Sequence, residues 1–411
     1  PMRRRWRRFG ESGAKLIYGC EAMAVRPDGR ANPNQLIINE ESRGDLIELR
    51  EILLKAHRER HGEIDDLAIG FQLTHSGRFC RPNDKLTYEP KIAYRHPILD
   101  EKFMVKGDEN LMTNDEVEVL IKDFVQAARV AKEVGADFVD IKHCHGYLLH
   151  EFLGAYSRPG RFGGSFENRT RILCEIVEGI RAEGNDIDLG VRLSAFDMVP
   201  HRPDPAQSQT GKLGSGIPEE HAASYPYQFG LNHEDPTQID LTEAFEFAKL
   251  CGELGIKLLN SSAGSPYYTP HLQRPAAYPP SDGYQPPYDP LVDVARQIDG
   301  VRQLKARLPE GMAIIASGLS YLQEYLPHVC QALLREGWTD MVGLGRVVLS
   351  YPTILNDAMK KGKMDRRYIC RTFSDCTTAP RNGLPSGCFP LDEYYSISPM
   401  AQELKERKKA G

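Results

Sequence analysis

The densest chemistry in the chain follows residues 138–141, a β-prone Phe-Val-Asp-Ile run that leads into Lys142, His143, His145 and Tyr147. Strand alternation sets Val139 and Ile141 on one face and Asp140 and Lys142 on the other. An ammonium, imidazoles and a phenol gathered this closely suit a site that holds an oxyanion and moves a proton. A Gly- and Arg-rich run comes next, and then a helix opening at Ser165, with Glu167 in its first turn. Strands that end in ionisable groups and continue through a loop into a helix are how α/β barrels build active sites. Lys142 at such a strand end also admits a Schiff-base aldolase, or simply an ion pair with Asp140.

Other segments add charge at comparable places. Arg192, in the strand 189–194, points opposite to Val191 and Leu193. An unpaired arginine inside a barrel is costly, so it needs Asp140 or the anionic edge of a cofactor. Gly318, after the strand 312–317, and Gly345-Arg346, after the strand 340–344, together read as a barrel phosphate site. Glycines allow close backbone approach to an anion there, and the arginine adds a forked charged donor.

Elements able to position these residues alternate along the chain. Strands are expected over 14–22, 66–76, 138–141, 189–194, 256–261, 312–317 and 340–344. Helices are expected over 45–61, 115–134 (capped by Asn114), 166–182, 241–254, 291–308 and 326–336. Repeated βα units imply a parallel sheet, and this many favour a (β/α)8 TIM barrel over an open doubly wound sheet. Seven strands are legible, so strand one, which should precede the first helix, is expected to be missing from this sequence. Long irregular loops, 200–232 and 265–290, follow strands five and six of the eight-strand count, over the end where barrel sites lie.

Bulk properties narrow the partners. A chain of 411 residues with net charge −5 is not expected to bind nucleic acid. Residues 3–8, rich in arginine, read as one solvated helix face with Trp6 and Phe9 packed inward. Neither a signal peptide nor a membrane-length apolar run stands out. Nine scattered cysteines form no disulfide framework and suit a reducing cytoplasm.

The runs HGYLLHEFL and RFGGSFENRTR resemble the Old Yellow Enzyme family of FMN-containing oxidoreductases on a (β/α)8 barrel. Two departures stand out: Lys142 replaces the first histidine of the family's pair, and the loop before Gly163-Gly164 is shorter, with Phe162 at the usual tyrosine. The resemblance implies that Tyr147 is the proton donor and that His145 and Lys142 hold the activating oxygen. It assigns Gln72, in FQLTHSGR, to the flavin pyrimidine edge and Arg192 to flavin N1 and O2, leaving His75 and Arg78 as structural residues. Gly318, Gly345 and Arg346 would take the phosphate, and Cys20 is placed with the cofactor contacts. The implied function is NAD(P)H-driven reduction of an activated C=C bond on one FMN-binding barrel domain, 1–411, with 365–411 as a Cys-containing extension. Alternatives are a flavin-dependent amine dehydrogenase or demethylase and a non-catalytic flavin-binding barrel. The partner is a small-molecule substrate; a homo-oligomer is compatible with the sequence.

Cys370, Cys376 and Cys388 resemble the four-cysteine segment of the trimethylamine dehydrogenase and 2,4-dienoyl-CoA reductase branch, whose second half has no counterpart here. Phe373 stands where the second ligand would be, and a [4Fe–4S] centre normally takes four thiolates. Free thiols are therefore the expectation, with a cluster or a zinc ion as the alternative.

Overall fold

In a computed structural model, which describes residues 1–209 and 211–410, seven β-prone runs form one parallel sheet. Its strands are β1 (Leu16–Ala24), β2 (Ala68–Thr74), β3 (Phe138–His143), β4 (Asp188–Ser194), β5 (Leu258–Ser262), β6 (Ala313–Ala316) and β7 (Met341–Val342). Each pairs in parallel with the next. Parallel neighbours need long crossovers, and helices supply them here. Between successive strands run α2 (Arg43–His61), α3 (Asn114–Val134), α4 and α5 (Leu148–Leu153 and Phe166–Ala182), α6 (Thr242–Glu253), α7 (Leu291–Lys305) and α8 (Leu326–Arg335).

The sheet curls. Tyr18 on β1 faces Asp140, Asn260 and Arg192, although β1 and β5 stand four places apart in strand order. A flat sheet would hold those two strands roughly 19 Å apart, at about 4.8 Å per step. Among the described residues β1 and β7 are the edges, and no eighth strand joins them. Alternation along the curled sheet sends Phe71, Val139 and Val191 out under the helices and Gln72, Asp140 and Arg192 inward.

Local chemistry explains the boundaries. Helix α3 opens on Thr113, not Asn114: the threonine hydroxyl accepts from the Glu116 backbone and the Glu116 carboxylate accepts in return. Asn114 instead accepts from Arg158. Ser165 caps α5 as its sequence suggests, accepting from the Asn168 N–H. The loop 200–232 is less irregular than expected, since His201–Pro203 and Gly216–Pro218 form a short antiparallel hairpin.

The arginine-rich N-terminus departs from expectation. Helix α1 (Met2–Gly10) buries Trp6 edge-on against Phe71, and of its arginines only Arg3 and Arg7 make a solvated face. Arg4 pairs with Asp392 at 2.7 Å, Arg5 with Glu21 at 2.8 Å, and Arg8 donates to the Leu349 carbonyl at 3.1 Å. These contacts tie α1 to the C-terminal segment, which has its own small core around Leu384, Phe389, Tyr395 and Leu404. No helix among the described residues is long and apolar enough to cross a membrane.

Candidate active site at the C-terminal ends of the strands

The register of β2, β3 and β4 sets a polar layer inside the sheet. Gln72 lies opposite Asp140, and Lys142 opposite Arg192. Gln72 donates its amide to Asp140 Oδ2 at 2.7 Å. Burial raises the Asp140 carboxyl to about 6 despite that bond and nearby Arg192 and Lys142. Arg192 does not pair with Asp140; among the described residues its one side-chain hydrogen bond is to Ser317 Oγ at 3.5 Å.

Beyond this layer Lys142 Nζ lies 3.4 Å from the centroid of the Tyr147 ring. The Lys142–Asp140 ion pair admitted by the sequence is not formed. Burial pushes the Lys142 ammonium down to about 8, with Cys144 opposing and Arg192 adding to the shift. His143 turns away instead: its Nδ1 meets the Ile141 carbonyl and its ring packs on Phe247 of α6.

The loop after β3 is held under strain. His145 adopts φ +67, a left-handed conformation that costs a non-glycine residue about 1–3 kcal/mol. Ser194 Oγ accepts from its N–H at 2.9 Å, and Ser265 Oγ donates to its carbonyl at 2.8 Å, fixing the peptide from both sides. Gly146 follows at φ +73, where an added Cβ would meet the Tyr268 ring at 2.9 Å. Burial and the cations Arg192, Lys142 and Arg346 keep the His145 imidazole well below its usual pKa, and therefore neutral. Its Nε2 lies 3.1 Å from Ser262 Oγ and 3.3 Å from Gln273 Nε2.

Tyr147 is the residue before α4, and its phenol meets Tyr267 Oη at 3.2 Å. Burial and Tyr267 raise its pKa well above the usual tyrosine value, so the phenol keeps its proton. Tyr267 stacks on Phe79 at 3.9 Å. It also lines a cavity of about 660 Å³ with Ile98, Lys102, His201, Tyr284 and Arg381. That size suits a small molecule.

The last two strand ends come together through the Gly343 N–H, which donates to Ala316 at 2.8 Å. Gly318 sits at φ +85, and any Cβ there would strike the Gln297 amide, whereas Gly345 faces open space. Arg346 donates to Thr377 Oγ1 at 2.8 Å and Gln273 Oε1 at 3.1 Å. Burial and the neighbouring Arg274 guanidinium depress it to about 9. Arg274 itself reaches Cys370 Sγ at 3.1 Å. Among the described residues no carboxylate lies within ion-pair distance of Lys142, Arg192, Arg274 or Arg346. Four cations held this way call for an anionic ligand.

These residues fit FMN. Buried Asp140 Oδ1, Arg192 Nε, Asn260 Oδ1 and Tyr18 Oη have no hydrogen-bond partner, which suits the polar edge of a heterocycle, and the two arginines suit a phosphate. Cys20 is not gathered with them: it sits at φ +62 in a bulge of β1, and its charged neighbours are Arg5 and Glu21. Cys370, Cys376 and Cys388 lie near one another. Even so, no three His, Cys, Asp or Glu among the described residues form a set that could hold a metal ion. Arg78, buried between Asp100 at 2.5 Å and Glu151 at 3.0 Å, braces the loop beneath Phe79. Gln273 and Tyr267 escaped sequence reasoning because the long loop that carries them has no periodic signal, and Thr377 because its helix, Asp375–Arg381, is only two turns long.

Residues 10–213 match the NADH:flavin oxidoreductase / NADH oxidase family. The NADPH dehydrogenase of Geobacillus sp. (strain WCH70) is 29% identical over 349 residues, covering 84% of this chain and 78% of that protein. Among solved structures, a 2-naphthoyl-CoA reductase bound to 2-naphthoyl-CoA superposes with TM-score 0.66 at 18% identity over 98% of this chain, which spans 52% of that protein's length. The Old Yellow Enzyme homologue from Zymomonas mobilis gives TM-score 0.56 at 18% identity, covering 89% of this chain and 84% of that one. Identities this low speak for the fold alone, which is the α/β fold seen here. Over residues 10–213 the chain is similar in sequence to the NADH:flavin oxidoreductase / NADH oxidase family, and in fold it resembles the Old Yellow Enzyme group of FMN-dependent NAD(P)H oxidoreductases.

Proposed function

We propose that this protein is an ene-reductase that uses NAD(P)H to reduce an activated C=C bond. Bound FMN supplies the hydride chemistry between nicotinamide and alkene. Gln72 and Arg192 would hold the polar edge of its ring. Arg346, with the backbone at Gly318 and Gly345, would hold its phosphate.

One observation carries this reading: an unpaired buried ammonium, a neutral imidazole and a protonated phenol meet just beyond β3. Lys142 and His145 would grip the oxygen that activates the alkene, where negative charge develops. Tyr147 would deliver a proton to the α-carbon from its neutral phenol. The same arrangement disfavours amine oxidation, because Lys142 already occupies the Tyr147 ring face that would attract a cationic amine. Anaerobic turnover of the FMN-loaded protein with NADPH or NADH and a panel of enones and unsaturated thioesters tests the proposal. Nicotinamide oxidation without loss of any alkene would overturn it.

A further inference from the structure

We propose that Gln273 is a positioning residue that fixes His145 as its Nδ1–H tautomer, making Nδ1 the donor to the substrate's activating oxygen. This rests on His145 as an oxygen-holding residue.

Gln273 ends the short helix Pro270–Gln273, in the long loop after β5. Its side-chain amide is engaged at both ends. Arg346 Nη2 lies 3.1 Å from Oε1, and His145 Nε2 lies 3.3 Å from Nε2. A guanidinium can only donate, so the amide oxygen must face Arg346. The amide nitrogen then faces His145, and it too can only donate. His145 Nε2 must therefore accept and carries no proton.

A neutral imidazole keeps its single ring proton on the other nitrogen, Nδ1. An imidazolium would set N–H against N–H across the Gln273 contact, and the surrounding cations oppose it as well. Ser262 Oγ, 3.1 Å from the same Nε2, does not decide the question, because a hydroxyl rotates to suit its partner. His145 Nδ1 has no hydrogen-bond partner among the described residues, so it is the ring nitrogen left for a ligand. The opposite tautomer would turn a lone pair toward the substrate oxygen. A single chain of donors, Arg346 to Gln273 to His145, thus joins the phosphate-holding arginine to the oxygen-holding imidazole.

Long-range ¹H–¹⁵N correlation spectra of ¹⁵N-histidine-labelled, FMN-loaded protein report which His145 nitrogen is protonated. Wild-type protein should show Nδ1–H and a bare Nε2. Gln273→Glu places an acceptor against both Arg346 and His145. It should move the proton to Nε2 and slow alkene reduction about 10²-fold, the scale for losing one oxyanion donor. Gln273→Leu removes the selection and should give both tautomers, and with the wild-type spectrum it decides the matter if Gln273→Glu fails to fold. A proton on Nε2 in wild-type protein, or Nδ1–H persisting in Gln273→Glu, overturns the proposal. A protein that reduces no alkene yet shows this tautomer and its shift sinks the ene-reductase reading while upholding control by Gln273.

Discussion

Lys142 Nζ sits 3.4 Å above the Tyr147 ring and within ion-pair distance of no carboxylate. A desolvated cation–π contact contributes about 2 kcal/mol and leaves the ammonium's N–H donors without an acceptor. A histidine in this place would bring one donor and no fixed charge. The ammonium brings three donors and a full positive charge to the same spot, and that difference should set substrate preference.

Lys142→Met should therefore weaken turnover of carboxylate and enolate-forming acceptors far more than that of neutral nitro or nitrile alkenes. Lys142→His should shift preference toward ordinary enones. Steady-state kcat/KM across the panel checks this, and a uniform loss over every acceptor class would remove the anion-holding role.

Stability should carry the same signature. Burial lowers the folded-state pKa of Lys142 from 10.5 to about 8, so between those values the unfolded chain binds a proton that the folded one has shed. Stability from this group then rises with pH across that window, and below about pH 8 the folded state bears the full cost of the buried charge. Lys142→Met should melt higher than wild type at pH 7, with the gap closing by pH 10. Calorimetry at matched flavin occupancy measures it; a variant less stable at pH 7 would mean that Lys142 has a counter-ion.

Strand alternation is what places Asp140, Lys142 and Arg192 on the inner side, whereas Gln72, His145 and Tyr147 stand out through the runs FQLTHSGR and HGYLLHEFL and the resemblance they carry. The basic run of α1 is solvated at Arg3 and Arg7 but not at Arg4 and Arg8, because a helical period cannot tell solvent from a distant segment: Asp392 and Leu349 meet Arg4 and Arg8 only after folding. Gln273 and Tyr267 lay hidden for a different reason. They come from a Pro- and Tyr-rich loop with no period, and their role depends on His145 and Tyr147, more than a hundred residues earlier.

Arg346→Ala should reduce affinity for FMN and leave that for riboflavin nearly unchanged, because riboflavin lacks the phosphate. A charge-assisted hydrogen bond contributes about 1.5–3 kcal/mol, or roughly 10- to 100-fold in Kd. Fluorescence titration of the two flavins separates phosphate loss from general damage. Equal weakening of both would move the phosphate elsewhere.

Iron and acid-labile sulfide should be substoichiometric in anaerobically purified protein. Among the described residues two further thiols, Cys376 and Cys388, gather with Cys370, and Arg274 already engages the Cys370 sulfur at 3.1 Å. About four irons per chain with the absorbance of a [4Fe–4S] centre, the complement of four thiolates, would reverse this expectation.

Tyr147→Phe isolates the proton. In the proposed site the phenol acts on the alkene and does not hold the flavin, so reduction by NAD(P)H should proceed at close to the wild-type rate. Reoxidation by an alkene needs a proton at the α-carbon, and removing a positioned acid typically costs about 10²–10⁴-fold. Among the described residues the Tyr147 phenol's one hydrogen-bonding partner is Tyr267 Oη, at 3.2 Å, and Tyr267 lines the outer cavity. Tyr267→Phe should thus leave the donor in place and alter its pKa: burial and Tyr267 both raise it, so removing the second hydroxyl should lower it. ¹³Cζ-tyrosine spectra across pH report that shift, and stopped-flow traces report each half-reaction. If Tyr147→Phe slows both half-reactions equally, Tyr147 is not the proton donor, and another group in reach of the alkene must be.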